Sequence, residues 1–135
     1  MIKQKDVIRL QVPYPSISSD LAVQAHMYVC KAYTSECCEL VKCQTLKPSI
    51  IKCLKHYCIE KSDINRNPFV HTTLIDCDKA FQLSDIALDA SLRTTRRPDV
   101  CDELFGEIVQ ELLEDGFENI ELDKDKLLSL NYALK

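Results

Sequence analysis

Asp6-Val7-Ile8-Arg9-Leu10-Gln11-Val12 alternates apolar and polar positions apart from Val7, the period-two pattern of a half-buried strand. Pro13-Tyr14-Pro15 stops it, and the polar stretch Ser16–Asp20 reads as a loop. A second strand is predicted from Val23 to Ala32, with Met27, Val29 and Cys30 as apolar contacts. Tyr33-Thr34-Ser35 then reads as a hairpin connection into a third strand from Cys37 to Thr45. Leu46-Lys47-Pro48 ends that strand, because proline has no N–H to give to a ladder. Ser49–Lys55 reads as either a short helix or a bent strand, Tyr57–Glu60 as a further strand, and Ile64–Pro68 as a turn. The β-branched content of Val70–Ile75 predicts a strand, followed by a short strand or turn over Lys79–Leu83. Arg93-Thr94-Thr95-Arg96-Arg97 is a basic connection.

The clearest element begins at Pro98-Asp99. Asp99 is the predicted N-cap of a helix, with Asp102 and Glu103 in a first turn where the dipole favours anions. Val100, Leu104, Phe105, Ile108, Val109, Leu112 and Leu113 form one apolar stripe at helical spacing, with Glu107, Glu111 and Glu114 opposite. Gly116 suits the left-handed position after the helix, and Phe117 the apolar contact that accompanies it. Asn119–Leu122 reads as a short strand, and Asp123 as the cap of a last helix over Lys126–Leu130. Strands first and a long amphipathic helix late predict an α+β fold, a small antiparallel sheet or barrel with the helix packed on it. Two glycines are few for the corners of a tight barrel.

The 135 residues are expected to form one domain over 1–135, with a core that needs neither disulfide nor metal. The chain has no apolar run of the roughly 18 residues that cross a bilayer, and its charged start lacks the apolar segment of a signal peptide, so a cytoplasmic protein is expected. Most of the eight cysteines lie in apolar runs, where a thiol acts as a small hydrophobe. Cys53, His56 and Cys58 would be the start of a zinc site, but their spacing is not a standard ligand pattern and the chain contains no CxxC pair. No metal is expected. The net charge of −4 conceals an asymmetry: residues 1–61 carry nine Lys/Arg against five Asp/Glu, residues 98–135 three against eleven. A basic first half would suit an anionic partner such as RNA; the alternative is ordinary surface lysines beside a solvated acidic helix.

Lys3-Gln4-Lys5-Asp6-Val7-Ile8-Arg9-Leu10, the strand Ala25–Ala32, Cys43-Gln44-Thr45, the run Thr73–Phe81 and the helix Asp99–Asp115 follow one another in an order that resembles the MazF/PemK toxin family. The resemblance spans residues 3–115 and is one of pattern more than identity. It implies an SH3-like barrel or curled sheet and metal-independent cutting of single-stranded RNA. It also implies a homodimer and an antitoxin partner. Lys5 stands where the family has glycine, and Ala25-His26 where it has Arg-Pro, so the arginine that the family uses in catalysis is absent there. Thr45 matches the family's hydroxyl position.

The candidate catalytic residues are therefore His26, as a general base for a 2′-OH near neutral pH, and Thr45. Gln44, Lys42, Lys47, Arg93, Arg96 and Arg97 are the candidate RNA-binding residues, with guanidinium groups fitting phosphate geometrically. The alternatives are a strand histidine satisfied by backbone groups, a threonine chosen for β-propensity, and arginines that cap or pair with the acidic helix. His56 and His71 have no recognisable nucleophile or carboxylate beside them in sequence. No P-loop, GxGxxG, HExxH or GxSxG motif occurs, and no cofactor is expected. Two functions follow: an endoribonuclease toxin, or a non-catalytic barrel that binds protein or RNA. Ile50, Ile51, Leu54, Tyr57 and Ile59 are apolar beyond the needs of one small sheet and are expected to serve either the core or a dimer interface.

Overall fold

Alternation along the two longest strands divides the interior into two cores. The computed structural model describes residues 2–10, 26–34, 37–84, 88–114, 116–122, 125 and 127. Strands β1 (Val7–Leu10), β2 (His26–Tyr33) and β3 (Cys37–Thr45) form an antiparallel meander, with Val7 opposite Val29 and Val29 opposite Val41. Successive side chains of a strand leave on opposite faces. Ile8, Tyr28, Cys30, Cys38 and Leu40 therefore fill one core, with Phe81 edge-on to Tyr28 at 5.9 Å. Val7, Val29, Val41 and Cys43 fill the other.

β3 is long enough to pair twice along its second edge. Its C-terminal part pairs with β5 (Thr73–Asp76), which in turn pairs with β4 (Tyr57–Glu60). Its N-terminal part pairs with β6 (Lys79–Ser84). β7 (Glu118–Glu121) lies parallel to β6, so the seven-stranded sheet is mostly rather than wholly antiparallel. The sheet does not close into the barrel that the sequence allowed. Among the described residues, the outer edge of β1 meets only single bridges, Ile8 to Arg93 and Asp6 to Asp99.

Pro48–Ile51 is one helical turn, α1, opened by proline at its first positions. Helix α2 (Asp102–Leu113) lays Leu104, Ile108 and Leu112 on the second core, each buried and four residues from the next. Burying each stabilises by about 2 kcal/mol. Leu113, assigned to the same stripe by sequence, is 65% exposed. Asp99 is not the N-cap. Backbone bonds from Val100 N–H to Lys5 O and from Cys101 N–H to Arg66 O hold that segment extended, so the helix starts later, with Cys101 Sγ accepting from Leu104 N–H. Gly116 has φ 78°, a left-handed conformation that glycine adopts without Cβ strain.

Cys30, Cys38, Cys43 and Cys77 are buried as free thiols in these cores, Cys30 and Cys38 with sulfurs 3.9 Å apart. Ile59 is 48% exposed and Ile50, Ile51, Leu54 and Tyr57 are partly exposed, so this apolar middle section lies at the margin of the core. The loop over Ser16–Asp20, the start of the second strand at Val23–Ala25, Ser35 and Asp123 lie outside the described residues, as does most of the helix expected over Lys126–Leu130. No helix among the described residues is long and apolar enough to cross a membrane.

Candidate functional site

One row along from the Val7–Val29–Val41 core, the sheet opens to solvent. Arg9 pairs with Met27 and Met27 with Cys43; the next row on the same face carries Thr45 opposite Thr73. Arg9 and Thr45 are exposed and Met27 is half-buried. The loop from Lys61 to Thr72 brings Phe69, Val70 and His71 over this end of the sheet. The result is a cavity of about 150 Å³ lined by Arg9, His26, Gln44, Thr45, His71 and Thr73, among others.

That loop is held by a buried polar knot. The Glu60 carboxylate, at the end of β4, accepts from Arg66 Nε at 2.7 Å and from Asn67 Nδ2 at 2.9 Å. Arg66 also reaches Glu103 and Glu107 of α2 at 3.3 and 3.6 Å. The Glu60 hydrogen bonds hold the Arg66 guanidinium above its ordinary pKa. Ser62 Oγ and Arg96 both donate to Phe69 O, which fixes the backbone next to Val70 and His71.

A second cavity, of about 440 Å³, adjoins the first and shares Arg9, Met27 and Val70 with it. Its far wall is the Ser91–Arg96 segment. Arg96 is exposed there and gives one N–H to Phe69 O at 3.3 Å. Arg93 turns back 3.6 Å to the buried Asp6 carboxylate, whose Oδ1 has no hydrogen-bond partner among the described residues. Across both cavities the described lining holds three arginines and two histidines and neither Asp nor Glu.

The sequence candidates divide accordingly. His26, Gln44 and Thr45 come together in the first cavity, and Arg93 and Arg96 in the second. Lys42, Lys47 and Arg97 are not in the described lining of either. Arg97 binds Asp99 and donates to Ile64 O, and Lys47 is exposed as the N-cap of α1. Strand alternation sets His26, Lys42 and Gln44 on the face opposite Met27, Cys43 and Thr45. Burial first, and the Lys42 charge second, lower the His26 pKa. The His26 side chain thus leaves its strand on the Lys42 face, although His26 and Thr45 border the same cavity.

Arg9 escaped the sequence reading, and His71 was set aside there as a weaker candidate. Arg9 and His71 share the cavity with Thr45, and none of the three side chains has a hydrogen-bond or ion-pair partner among the described residues. The signal for Arg9 was present, a cation at the outward position of a half-buried strand, but nothing in the sequence shows which strand it faces. His56, also set aside, does meet a carboxylate: its Nδ1 lies 3.1 Å from Glu111 of α2. Cys53 turns to Ser49 O and Cys58 toward Cys77, so the Cys53–His56–Cys58 set diverges. No group of three or more ligand side chains that could hold a metal occurs among the described residues.

The chain matches no family model, no curated protein and no solved structure. Its chemistry rests on its own residues.

Proposed function

We propose that the two adjoining cavities bind single-stranded RNA and that the chain cuts it without a metal, as an endoribonuclease toxin of a toxin–antitoxin pair. The observation that carries the reading is the charge of the cleft. In a chain of net charge −4, two neighbouring cavities are lined by Arg9, Arg93, Arg96, His26 and His71 with no carboxylate in the described lining. Such a surface favours a polyanion. Two further features support the family resemblance. Thr45 is at the cleft, and Lys5, where the family has glycine, takes a left-handed φ of 79°.

In the cutting step the ribose 2′-oxygen attacks the adjacent phosphorus. The P–O2′ bond forms as the P–O5′ bond breaks, leaving a 2′,3′-cyclic phosphate. His71, which lines the cavity beside Thr45, takes the 2′-OH proton, and water protonates the departing 5′-oxygen. Arg9 and the Thr45 hydroxyl hold the non-bridging oxygens, where charge gathers in the transition state. Arg9 takes the place of the arginine missing beside His26. An antitoxin and a homodimer belong to the same reading, the exposed Ile59 region being the surface available for pairing.

A second reading is favoured by one observation. His26 and Thr45 border the same cavity but leave their strands on opposite faces, with no hydrogen bond between them, so the cleft would bind RNA without turning it over. Fluorescence anisotropy with a labelled single-stranded RNA, beside a cleavage assay in chelator, separates the two. Two phosphate contacts give a slope of log K against log salt of about −1.4, and Arg9→Ala flattens it by about 0.7. Bound and cut RNA supports the nuclease, and bound but intact RNA leaves only the binding protein. RNA that stays unbound at low salt overturns both.

A further inference from the structure

Val70 is 59% exposed, more than any other large aliphatic side chain among the described residues outside α2, and it forms part of the wall of both cavities. Its neighbour Phe69 is buried, and the carbonyl of Phe69 is held by both Ser62 and Arg96. Val70 is therefore a fixed apolar ridge between two depressions, not the tip of a loose loop. Arg9 also borders both depressions, and no ion pair within the described chain neutralises it. The two depressions differ in size. The smaller, about 150 Å³, falls below the range of roughly 300–1,000 Å³ typical of pockets that enclose a small molecule. The larger, about 440 Å³, lies within it.

From this arrangement we infer that the larger cavity is a second nucleotide subsite, that Val70 separates two successive bases, and that Arg9 holds the phosphate joining them. The inference rests on the RNA-binding reading and adds the minimal ligand, a dinucleotide unit rather than one nucleotide. Chemistry across the second cavity suits that role. Pro68, Val70 and Leu92 give apolar surface for the face of a base, while the Thr95 hydroxyl and the unspent N–H donors of Arg96 can meet its edge or the next phosphate. Arg93 is excluded from the role because its guanidinium faces Asp6. The small cavity takes the other sugar and the scissile linkage beside Thr45 and His71.

Equilibrium binding to the whole chain tests this with three probes: uridine 5′-monophosphate, the dinucleoside monophosphate UpU, and a decauridylate. UpU is expected to bind about tenfold more tightly than the mononucleotide, the worth of one charge-assisted hydrogen bond with its accompanying base contact. Arg96→Ala and Val70→Ala, both at exposed positions, are expected to weaken UpU more than the mononucleotide and so to remove that advantage. Arg9→Ala should weaken both. If decauridylate binds but UpU has no advantage, or if Arg96→Ala and Val70→Ala leave it intact, the second subsite is refuted and the RNA reading stands. If decauridylate itself does not bind, both fall together.

Discussion

Asn67 is fully buried and has its whole side-chain hydrogen-bonding capacity engaged. Its amide donates to Glu60 at 2.9 Å and to Lys61 O at 3.0 Å, and its carbonyl oxygen accepts from Phe69 N–H at 3.0 Å and Asp63 N–H at 3.3 Å. An amide has two donors and two acceptor sites, so nothing is left over. Asn67→Ala removes all four bonds at once. The bond to the charged Glu60 is worth about 1.5–3 kcal/mol and that to Phe69 about 1 kcal/mol, both between buried groups that water reaches poorly. Lys61 is exposed and Asp63 partly so, and water replaces those bonds at little cost. Arg66 still holds Glu60, which caps the loss. The expected destabilisation is about 3 kcal/mol, a large share of the roughly 5–15 kcal/mol that a domain has. Urea unfolding measures it, the midpoint falling with the slope unchanged. The same variant should weaken RNA binding, because the loop it anchors carries Val70 and His71. A loss under about 1 kcal/mol would refute the argument that this knot fixes the loop.

Three further outcomes follow from single sites. Lys5 has φ 79°, so Lys5→Gly should be more stable than Lys5→Ala by about 1 kcal/mol in urea unfolding, both having lost the contact with Asp102. The His26 pKa is lowered by burial and by Lys42, so folding releases protons there. The stability it contributes is complete above the ordinary value of 6.5 and is lost as pH falls from there toward the lowered value, so His26→Asn should flatten the thermal midpoint between pH 7 and pH 5. Cys58 is lowered chiefly by a hydrogen bond from Cys77, which is itself pushed up, so iodoacetamide at mildly alkaline pH should label Cys58 before Cys77 in a mass-spectrometric time course, and Cys77→Ala should slow it.

The strands were legible where period-two alternation was backed by a terminator. Cys37–Thr45 ends before Lys47-Pro48 and Tyr57–Glu60 has its expected bounds, because proline and local polarity act on the chain nearby. The start of α2 was not legible. Asp99 is the better capping residue in isolation, but Lys5 O and Arg66 O, both distant in sequence, claim the backbone N–H groups of Val100 and Cys101 and move the helix start. The parallel pairing of β7 with β6 depends on the chain returning after α2, which no local pattern encodes. The site divides the same way. Thr45, Gln44 and Arg96 were visible as residues at strand and loop ends. Arg9 and His71 come from segments far apart in sequence and meet only once the meander and the Lys61–Thr72 loop are in place.

Ion pairing also explains how an acidic chain can present a basic cleft. The carboxylates of α2 meet cations on the helix side: Glu103 and Glu107 meet Arg66, Glu111 meets His56, and Asp102 meets Lys5. Asp6 and Asp99 lie near the cleft but are taken by Arg93 and Arg97. Among the described residues, Asp6 and Asp99 beside the cleft are thus each paired with a cation, and Arg9 and Arg96 are left facing outward. Breaking one of these pairs should act on binding through the field, not through contact. Arg97→Ala frees the Asp99 carboxylate beside the Ser91–Arg96 wall without touching either described cavity lining. RNA affinity is then expected to fall a few-fold at low salt, and the difference should vanish by about 1 M salt, where the Debye length is about 3 Å. A salt-independent loss would mean that Arg97 acts by holding the loop in place, and the electrostatic account of the cleft would be wrong.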